Sequence, residues 1–324
     1  MRITSILFTA IAMSATAVFG AGGEAFTDPA KAGPDFAVQG EYEGAIGDKK
    51  VGIQVIARGD GNFDAVVCFG GLPGAGWDKN AKASLKGTTT DGVTKLVGLN
   101  WSGQIKDGVM SGTSGRASVA AKKVTRKSPT LGAKPPAGAV VLFDGSNVDA
   151  WKSGKLVEER GQKVLGVEKG AGARTKEKLE NFTLHLEFRT PYMPKETGQR
   201  RGNSGMYLLD QYECQVLDSF GLEGKDNECG GIYSVSKPDV NMCLPPLSWQ
   251  TYDVEFTAPK FDRDGKRTAA GVATIKHNGV IIHNKRVLPK PTPGGRQTDE
   301  KPGALFLQDH GNPVVYRNIW IVKK

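Results

Sequence analysis

Short runs of alternating apolar and polar side chains recur along most of the chain. The clearest are residues 50–56 (KVGIQVI), 182–189 (FTLHLEFR) and 250–256 (QTYDVEF). In the N-terminal part turn signals separate such runs about every 8–12 residues, which is typical of all-β domains. Alternation puts apolar side chains on one face of a strand and polar ones on the other. No segment of the C-terminal half keeps a helical period. The pattern predicts an all-β protein.

The strands form two blocks separated by a segment without periodicity. Residues 36–125 contain short strands between Gly-rich turns and predict a small accessory β-domain. Residues 139–324 contain longer alternating strands and the hairpin signal Asn278-Gly279. Residues 126–138 are basic and rich in Pro and Gly, which favours an extended, semi-rigid linker. We therefore predict a β-sandwich of the jelly-roll type over 139–324, preceded by the smaller β-domain.

The first residues have the composition of a secretory signal peptide. Arg2 precedes an apolar stretch over 6–17, and small residues precede Ala21. The stretch is too short to favour a membrane span, and no later segment approaches the length that a span needs. We expect residues 1–20 to be removed and the protein to be secreted or periplasmic, with an uncleaved anchor as the alternative. Residues 21–34 are rich in Gly, Ala and Pro and are predicted to be disordered.

The charge pattern does not favour nucleic acid as a partner, and the cysteine spacing does not favour a zinc site. The formal net charge is +9, but the lysines are scattered and form no arginine and aromatic stripe, so nucleic acid is not favoured as a partner. The four cysteines, Cys68, Cys214, Cys229 and Cys243, show no zinc-binding spacing. In an oxidising compartment we predict one bridge, Cys229–Cys243.

Polar side chains of unusual content lie on the outer faces of three predicted strands. They are Glu187 and Arg189, Glu213 and Gln215, and Gln308 and His310, with Asn203 and Asp218 beside the second pair and the aromatic candidates Tyr207 and Trp249. If the strands are neighbours, these carboxylates and carboxamides can bind adjacent sugar hydroxyls. The alternatives are a solvated sheet face, a Glu187–Arg189 salt bridge and core positions for the aromatics. His277 and His283, near a hairpin tip, are expected to be solvated.

Several motifs occur in an order and spacing that resemble a known family. They are LFDG at 142–145, EFR at 187–189, GNSG at 202–205, YECQVLD at 212–218, WQTYD at 249–253 and LQDHG at 307–311. Over residues 139–323 the chain resembles the 3-keto-disaccharide hydrolase domain family. Cys214 departs from the pattern, because an apolar residue is expected there. The resemblance implies an exported bacterial protein with a concanavalin A-like jelly roll, and the N-terminal β-module is similar to an extension found in some members.

The resemblance also implies cleavage of glycosides that carry a ketone at C3. A base would remove the C2 proton, the C1 oxygen would leave, and water would add back. Glu213 or Glu187 is the expected base, His310 the acid or a ligand of a divalent cation such as Ca²⁺, and Arg189 or that cation the stabiliser of the enolate. The expected substrate-binding residues are Arg189, Asn203, Tyr207, Gln215, Asp218, Trp249 and Gln308. Direct hydrolysis by two carboxylates, a lectin without turnover and a structural surface module are the alternatives.

Overall fold

The computed structural model describes residues 23–80, 82–297 and 302–324, so the predicted signal peptide over 1–20 lies outside the described residues. Within these ranges the helices are short: a 3₁₀ turn at Pro29–Lys31, α1 at Pro34–Val38 and a second 3₁₀ turn at Gly198–Arg200. The rest of the regular structure is β, which confirms the predicted class. No helix in the described ranges has the length and apolar character that crossing a membrane requires.

The N-terminal block is a closed antiparallel barrel in which each strand pairs with the next and β8 pairs with β1. Its strands are β1 Gly40–Ile46, β2 Lys49–Gly59, β3 Asn62–Phe69, β4 Lys82–Thr90, β5 Val93–Gly98, β6 Trp101–Lys106, β7 Val109–Ser114 and β8 Ala117–Val124. Alternate side chains such as Tyr42, Ile53, Phe63 and Trp101 point inward and fill the barrel with a packed core. The barrel closes the sheet on itself and leaves no free edge strand.

The segment before the barrel is ordered, so the predicted disorder over 21–34 is wrong from residue 23 onward. Phe26 and Tyr192 exchange two backbone hydrogen bonds of 2.9 Å, and Tyr192 belongs to the C-terminal block. The rings of Phe26 and Phe36 pack against the Tyr192 ring. These aromatic contacts, which the Gly/Ala/Pro content of the segment conceals, stabilise its position.

The C-terminal block contains fifteen short strands within the described residues. They are β9 Val140–Phe143, β10 Trp151–Lys152, β11 Lys155–Glu159, β12 Gln162–Gly166, β13 Ala173–Thr175, β14 Phe182–Arg189, β15 Ser204–Leu208, β16 Tyr212–Val216, β17 Gln250–Thr257, β18 Lys260–Phe261, β19 Arg267–Ala269, β20 Gly271–His277, β21 Val280–Leu288, β22 Phe306–Leu307 and β23 Val315–Lys323. Asn278 and Gly279 both have positive φ between β20 and β21, which confirms the predicted two-residue hairpin.

Two sheets pack face to face in this block. The smaller has the order β10-β13-β22-β15-β16, and the larger has the order β11-β12-β23-β14-β17-β20-β21, with β9 paired to β23. One hydrophobic core lies between them and contains, for example, Leu186 of β14 and Cys214 of β16. The polar residues of both strands therefore point to opposite outer surfaces. This is the predicted sandwich.

The segment over 126–138 lies against the outer face of the larger sheet. The Ser128 hydroxyl lies 2.6 Å from that of Thr251, and Thr130 donates to Asp253 across 2.7 Å. The carbonyl oxygen of Ala133 accepts hydrogen bonds from the side chains of Asn318 and Trp320. We call residues 128–133 the belt. It is not extended as predicted but turns twice, with Leu131 N–H donating to the Ser128 carbonyl across 3.2 Å and Ala133 N–H to the Thr130 carbonyl across 3.0 Å, and it is fixed to the sandwich.

The barrel and the sandwich are in contact through both apolar and polar side chains. Ile56 of β2 belongs to the core of the sandwich, whereas Tyr192 belongs to the core of the barrel. Arg201 of the sandwich pairs with Asp218 across 2.6 Å, and its guanidinium also donates to the carbonyl oxygen of Ala57 in β2 across 3.1 Å. The two blocks are therefore in direct contact beyond the connecting segment.

All four cysteines lie in the described residues, and all four are buried free thiols. The predicted Cys229–Cys243 bridge is therefore not formed in this structure, and both residues belong to the apolar core. Their burial as small hydrophobic side chains accounts for their positions.

Candidate active site

The β15–β16 hairpin presents the candidate site on the outer face of the smaller sheet. Its register places Tyr207 opposite Glu213 and Gly205 opposite Gln215. The alternate residues Met206 and Cys214 enter the core. The turn between the two strands falls at Leu209-Asp210, where both residues have positive φ.

A cavity of about 180 Å³ lies over this hairpin. Six of the ten sequence-predicted catalytic and binding residues line it: Asn203, Tyr207, Glu213, Gln215, Gln308 and His310. They come from the residue before β15, from β15 and β16, and from the chain that follows β22. The sequence left open whether the polar strands are neighbours. In the structure β15 lies between β16 and β22, so the second and third polar strands do not pair with each other but both contribute to this cavity.

Glu213 is the buried acid at the centre of the cavity. The hydroxyl of Tyr207 donates to its Oε2 across 2.9 Å, and the Gln308 amide donates to that hydroxyl across 3.1 Å. Burial raises the pKa of Glu213 to about 8, although the hydrogen bond from Tyr207 lowers it. Burial, with the adjacent Glu213 carboxylate, also raises the pKa of Tyr207 well above its usual value. A carboxyl group that titrates near neutral pH can serve as a general base or a general acid.

Two carboxamides beside Glu213 have oxygens without a protein partner. Asn203 and Gln215 are about 99% buried, and Oδ1 of the first and Oε1 of the second accept no hydrogen bond from the protein. Buried polar atoms are normally paired, so unpaired acceptors that line a cavity indicate positions for a ligand or for water. The two oxygens can accept hydrogen bonds from hydroxyl groups.

Two glycines, Gly205 and Gly294, leave room for the side chains of Glu213 and Tyr207. A Cβ at Gly205 would lie 2.4 Å from Oε1 of Glu213 and 2.8 Å from the Tyr207 ring. A Cβ at Gly294, where φ is +80°, would lie 2.8 Å from the Tyr207 hydroxyl. Neither position accommodates a larger side chain without displacing the Tyr207–Glu213 pair.

The chain around Gln308 and His310 is fixed to β15. The Gln308 backbone N–H donates to the Gly205 carbonyl across 2.9 Å, and the Ser204 hydroxyl donates to the Gln308 carbonyl across 2.6 Å. This arrangement holds the Gln308 side chain beside Tyr207. It also brings the half-buried His310 into the cavity wall opposite the hairpin residues.

Glu187 lies outside this cavity, so the structure does not bring together the two acids that were the alternative bases. It lies on β14, on the outer face of the other sheet, beneath the belt. Its carboxylate accepts hydrogen bonds from Gly132 N–H, from Asn318 and from Arg317, at 2.6, 2.9 and 2.6 Å. Burial raises the pKa of Glu187, but these donors and His185 outweigh it and lower the pKa to about 2. Glu187 is thus a carboxylate that is ionised at neutral pH and stabilises the belt.

Arg189 and Trp249 lie on the same far side of the sandwich, so the structure does not support a contact with substrate in the cavity. Arg189 forms an ion pair with Glu159. The guanidinium groups of Arg189 and Arg317 lie 4.8 and 4.1 Å from the centre of the Trp249 ring. These cation–π contacts involve the aromatic surface that a sugar ring would otherwise stack on.

Asp218 is also separated from the cavity. It is about 98% buried and is paired with Arg201 at the contact between the sandwich and the barrel. Its carboxylate therefore neutralises a buried guanidinium at the domain interface. The structure therefore does not place Asp218 at the cavity where contact with a substrate was expected.

The two hairpin histidines are buried, not solvated as predicted. His277 Nε2 lies 2.9 Å from the Gln250 carboxamide oxygen, and burial lowers the pKa of His277 to about 3. His283 Nε2 lies 2.7 Å from the Gly230 carbonyl. Pro129 approaches Gly279 at the tip of this hairpin. The belt and the 224–248 segment cover the tip, so both histidines are structural.

Sequence reasoning missed Gln199, Tyr233, Pro293 and Gly294, which complete the cavity wall. All four lie outside the strands, and an isolated residue in a turn or loop gives no signal of where it lies in space. In the described part of the chain no group of three or more His, Cys, Asp or Glu side chains is arranged to hold a metal ion. The cavity therefore offers no cluster of protein ligands for the divalent cation considered above.

Comparisons with known proteins show what the sandwich is similar to. The family model of the 3-keto-alpha-glucoside-1,2-lyase-like domain matches residues 138–322. A crystal structure from Parabacteroides distasonis, named a "putative glycosyl hydrolase", is 34% identical with a TM-score of 0.54, and the match covers 58% of this chain and 85% of that one. Two more crystal structures of that name and organism are 19% and 22% identical, with TM-scores of 0.41 and 0.39. Their matches cover 58% and 57% of this chain and 94% and 99% of theirs. A search of curated proteins gave no match.

The matched region contains both sheets, the β15–β16 hairpin and the whole cavity wall. It begins within one residue of the predicted start of the sandwich at 139, and it confirms the resemblance found in the sequence. The family and the 34% identical neighbour support a carbohydrate-active, hydrolase-like role. The match extends over more than half of the 324 residues, and the chain therefore belongs to the 3-keto-alpha-glucoside-1,2-lyase-like family.

Proposed function

We propose that the protein is an exported enzyme that cleaves the glycosidic bond of glycosides carrying a ketone at C3. The observation that carries the proposal is the buried carboxyl group of Glu213, whose pKa is about 8. It lies in a cavity whose unpaired amide oxygens suit a polyhydroxylated ligand. The family to which the chain belongs supports the same substrate class.

The proposed reaction begins with ionised Glu213 as the base. It takes the C2 proton, the C–H electron pair forms a C2–C3 double bond, and the ketone oxygen becomes an enolate. The ketone then re-forms, the pair moves to a C1–C2 double bond, and the C1–O bond breaks toward the leaving oxygen, which takes a proton. Water adds its hydroxyl to C1 and its proton to C2, so the net change is hydrolysis. A base whose pKa lies near the working pH suits this step.

The number of carboxylates favours this route over direct hydrolysis. Glycosidases that use two carboxyl groups hold them about 5–10 Å apart across the scissile bond. Among the described residues that line the cavity, Glu213 is the one carboxylate. Its expected partner, Glu187, lies on the other sheet. One base with a raised pKa fits proton abstraction next to a ketone better than it fits a two-carboxylate mechanism.

The other cavity residues have roles that follow from their chemistry. Tyr207 donates its one hydroxyl hydrogen to ionised Glu213, and Gln308 donates to the Tyr207 hydroxyl. Once Glu213 holds the C2 proton, the Tyr207 hydroxyl and the second N–H of the Gln308 amide would stabilise the enolate oxygen, in place of the distant Arg189. His310 would donate the proton to the leaving oxygen. Asn203 and Gln215 would accept hydrogen bonds from hydroxyl groups of the sugar.

The size of the cavity sets a limit on what it encloses. Its volume of about 180 Å³ is well below the roughly 300–1,000 Å³ of pockets that enclose drug-sized ligands. A cavity of this size suits the oxidised sugar ring alone. The leaving group of the glycoside would extend outside, which leaves tolerance for different leaving groups.

The test is incubation of the purified mature protein with a 3-keto disaccharide and with its unoxidised parent, followed by mass spectrometry. We expect cleavage of the keto form alone. Matched incubations with and without a chelator decide whether a metal ion takes part. If the protein cleaves neither sugar but is thermally stabilised by one of them, the lectin function replaces the enzyme function. If neither sugar is cleaved or stabilises the protein, a structural role replaces both.

A reaction in D₂O separates the two mechanisms. Elimination and hydration place one deuterium on C2 of the product sugar, whereas direct hydrolysis places none there. The control is the same substrate in D₂O without enzyme, because a ketone makes the neighbouring proton exchangeable by itself. Product with no more C2 deuterium than this control would contradict the proposed elimination.

Export is a separate part of the proposal. Residues 1–20 have the charged start, apolar stretch and small residues of a signal peptide. The measurement is the N-terminal sequence of the protein recovered from the periplasm or the medium. A sequence that starts near Ala21 is expected, and full-length protein retained in the cytoplasm would contradict it.

A further inference from the structure

The direction of three carboxamides in the site is fixed by the backbone. Gln199 donates through Nε2 to the Asn227 carbonyl across 2.7 Å, which turns its own Oε1 toward the cavity side. That oxygen accepts hydrogen bonds from Asn203 Nδ2 and from Gln215 Nε2, both at 3.2 Å. Asn203 Nδ2 also donates to the Gln199 backbone carbonyl across 2.7 Å.

An amide can be rotated so that its nitrogen and oxygen exchange places, but here that rotation is blocked. Reversing Asn203 or Gln199 would set an amide oxygen against a backbone carbonyl oxygen, and reversing Gln215 would set two amide oxygens against each other. Each pair consists of two acceptors and cannot form a hydrogen bond. The unpaired atoms of Asn203 and Gln215 are therefore oxygens, and a ligand must donate to both.

We propose that Gln199 is a positioning residue that makes the site select hydroxyl groups at two ring positions and reject a ketone there. The inference rests on the proposed function and extends it to the position of the ketone. A hydroxyl group has a hydrogen to donate, whereas a ketone oxygen is only an acceptor. The carbon that carries the ketone is therefore one that Asn203 and Gln215 do not contact.

Gln199 acts mainly through Gln215. Asn203 keeps its bond to the Gln199 backbone when the Gln199 side chain is changed, but Gln215 Nε2 has no other hydrogen-bond acceptor among the described residues. Without Gln199 Oε1, the Gln215 amide can reverse and donate as readily as it accepts. Selection at that one ring position should then disappear while the other is retained.

The turn that contains Gln199 is also held in place by a contact with the barrel. Gln199 lies in the 3₁₀ turn Gly198–Arg200, and the next residue, Arg201, donates to the Ala57 carbonyl of β2. The turn is thus held between the buried Arg201–Asp218 ion pair and the Asn227 carbonyl. This gives Gln199 a fixed position, which a residue that orients others requires.

The test is equilibrium binding, measured by calorimetry in a Glu213→Gln background so that no turnover occurs. The probes are methyl 3-keto-α-glucoside and its analogues that lack one hydroxyl group. With Gln199 present, two analogues should bind about tenfold more weakly than the parent, because each leaves a buried acceptor unpaired. With Gln199→Met added, one of those two losses should fall below about threefold. Gln162→Met, which removes an amide on the far sheet, is the matched control and should change neither loss.

The outcomes distinguish this inference from the proposed function. If the deoxy analogues lose the same affinity with and without Gln199, the proposed role of Gln199 is overturned. A failure of every probe to bind also overturns it. Cleavage of the 3-keto disaccharide by the unmodified protein, together with equal losses, leaves the proposed function intact. If the losses of affinity depend on Gln199 but the unmodified protein does not cleave the 3-keto disaccharide, the enzyme function is overturned. Asn203 and Gln215 then select hydroxyl groups in a lectin.

Discussion

Glu187 and Glu213 point away from each other, from the outer surfaces of two sheets that share one core. Both are buried acids, but their surroundings shift their pKa values in opposite directions, to about 2 and about 8. Glu187 accepts three hydrogen bonds of 2.9 Å or less from the belt and β23, whereas Glu213 accepts one from Tyr207 in an otherwise desolvated cavity. The same residue type therefore serves structure on one face and chemistry on the other.

Replacement of these two acids should separate activity from stability. We expect Glu213→Gln to lower kcat by about 10²–10⁴-fold, because the base is lost. Glu187→Gln should leave kcat within a small factor and lower the free energy of unfolding by roughly 3–5 kcal/mol, because it breaks a buried charge pair and sets an amide against Arg317. Kinetics and chemical denaturation of the two variants are the measurements. A Glu213→Gln protein with normal kcat would rule out the proposed base.

The pH dependence of kcat/KM should report the titration of Glu213. A base is active when ionised, so activity should rise with pH and level off above about 8. An acid in the same position would give activity that falls through that pH. The profile is measured on the 3-keto disaccharide, after subtraction of its uncatalysed breakdown at each pH. A falling limb near pH 8 would assign Glu213 as the acid.

Tyr207→Phe should move this profile to higher pH. The Tyr207 hydroxyl stabilises the ionised form of Glu213 and lowers its pKa, so its removal raises the pKa further. The variant should therefore lose activity chiefly at neutral pH and recover part of it in more alkaline solution. The measurement is the midpoint of the profile for the two proteins. An unchanged midpoint would mean that the Tyr207 bond does not control the titration of Glu213.

Gly205→Ala should disturb the site without unfolding the protein. The added methyl group would lie 2.4 Å from Glu213 Oε1, so the carboxylate must move. We expect kcat to fall by about tenfold or more, since a displacement of roughly 1 Å from productive geometry can cost up to about 100-fold. Gly271→Ala in β20 is the matched control, because its nearest neighbour would lie at an ordinary 3.4 Å. Equal kcat values for both variants would contradict a tightly enclosed Glu213.

The free energy of unfolding should depend on pH through Glu187. Its pKa in the folded protein, about 2, is below the ordinary 4.5, so its contribution is present above pH 4.5 and is lost as the pH falls toward 2. Denaturation between pH 5 and 2.5 should show this loss in the unmodified protein and a smaller loss in Glu187→Gln. Parallel curves for the two proteins would mean that Glu187 keeps an ordinary pKa in the folded state.

The sequence predicted the parts of the fold that depend on local patterns. Alternation in β14 and β17 and the Asn278-Gly279 turn are local signals, and they placed strands and a hairpin correctly. The neighbours of a strand are set by contacts distant in sequence, so Glu187 was grouped with Glu213 although β14 and β16 belong to different sheets. Burial of His277 likewise depends on contacts distant in sequence, with the Phe188 ring 5.8 Å from its own ring and the Gln250 amide oxygen 2.9 Å from its Nε2.

The candidate site was predictable where its residues share a hairpin or follow a paired strand. Tyr207, Glu213 and Gln215 have the alternation of β15 and β16, and Gln308 follows β22. Gln199 has no such pattern, because a short turn and the carbonyl of Asn227 fix its direction. Interactions with backbone atoms of a distant loop have no counterpart in the residue sequence, so the orientation of the amides could be found only in three dimensions.

The belt also affects where a fragment that contains the sandwich should begin. The family match begins at residue 138, but residues 128–133 supply hydrogen-bond partners to Glu187, Asp253, Asn318 and Trp320 of the sandwich. A protein that begins at the family boundary would lack the belt, and the carboxylate of Glu187 and the ring of His185 would be exposed to water on the outer face of the larger sheet. A fragment that keeps these hydrogen bonds therefore begins at or before residue 128, upstream of the family boundary, and a fusion of the sandwich to another domain should include the belt.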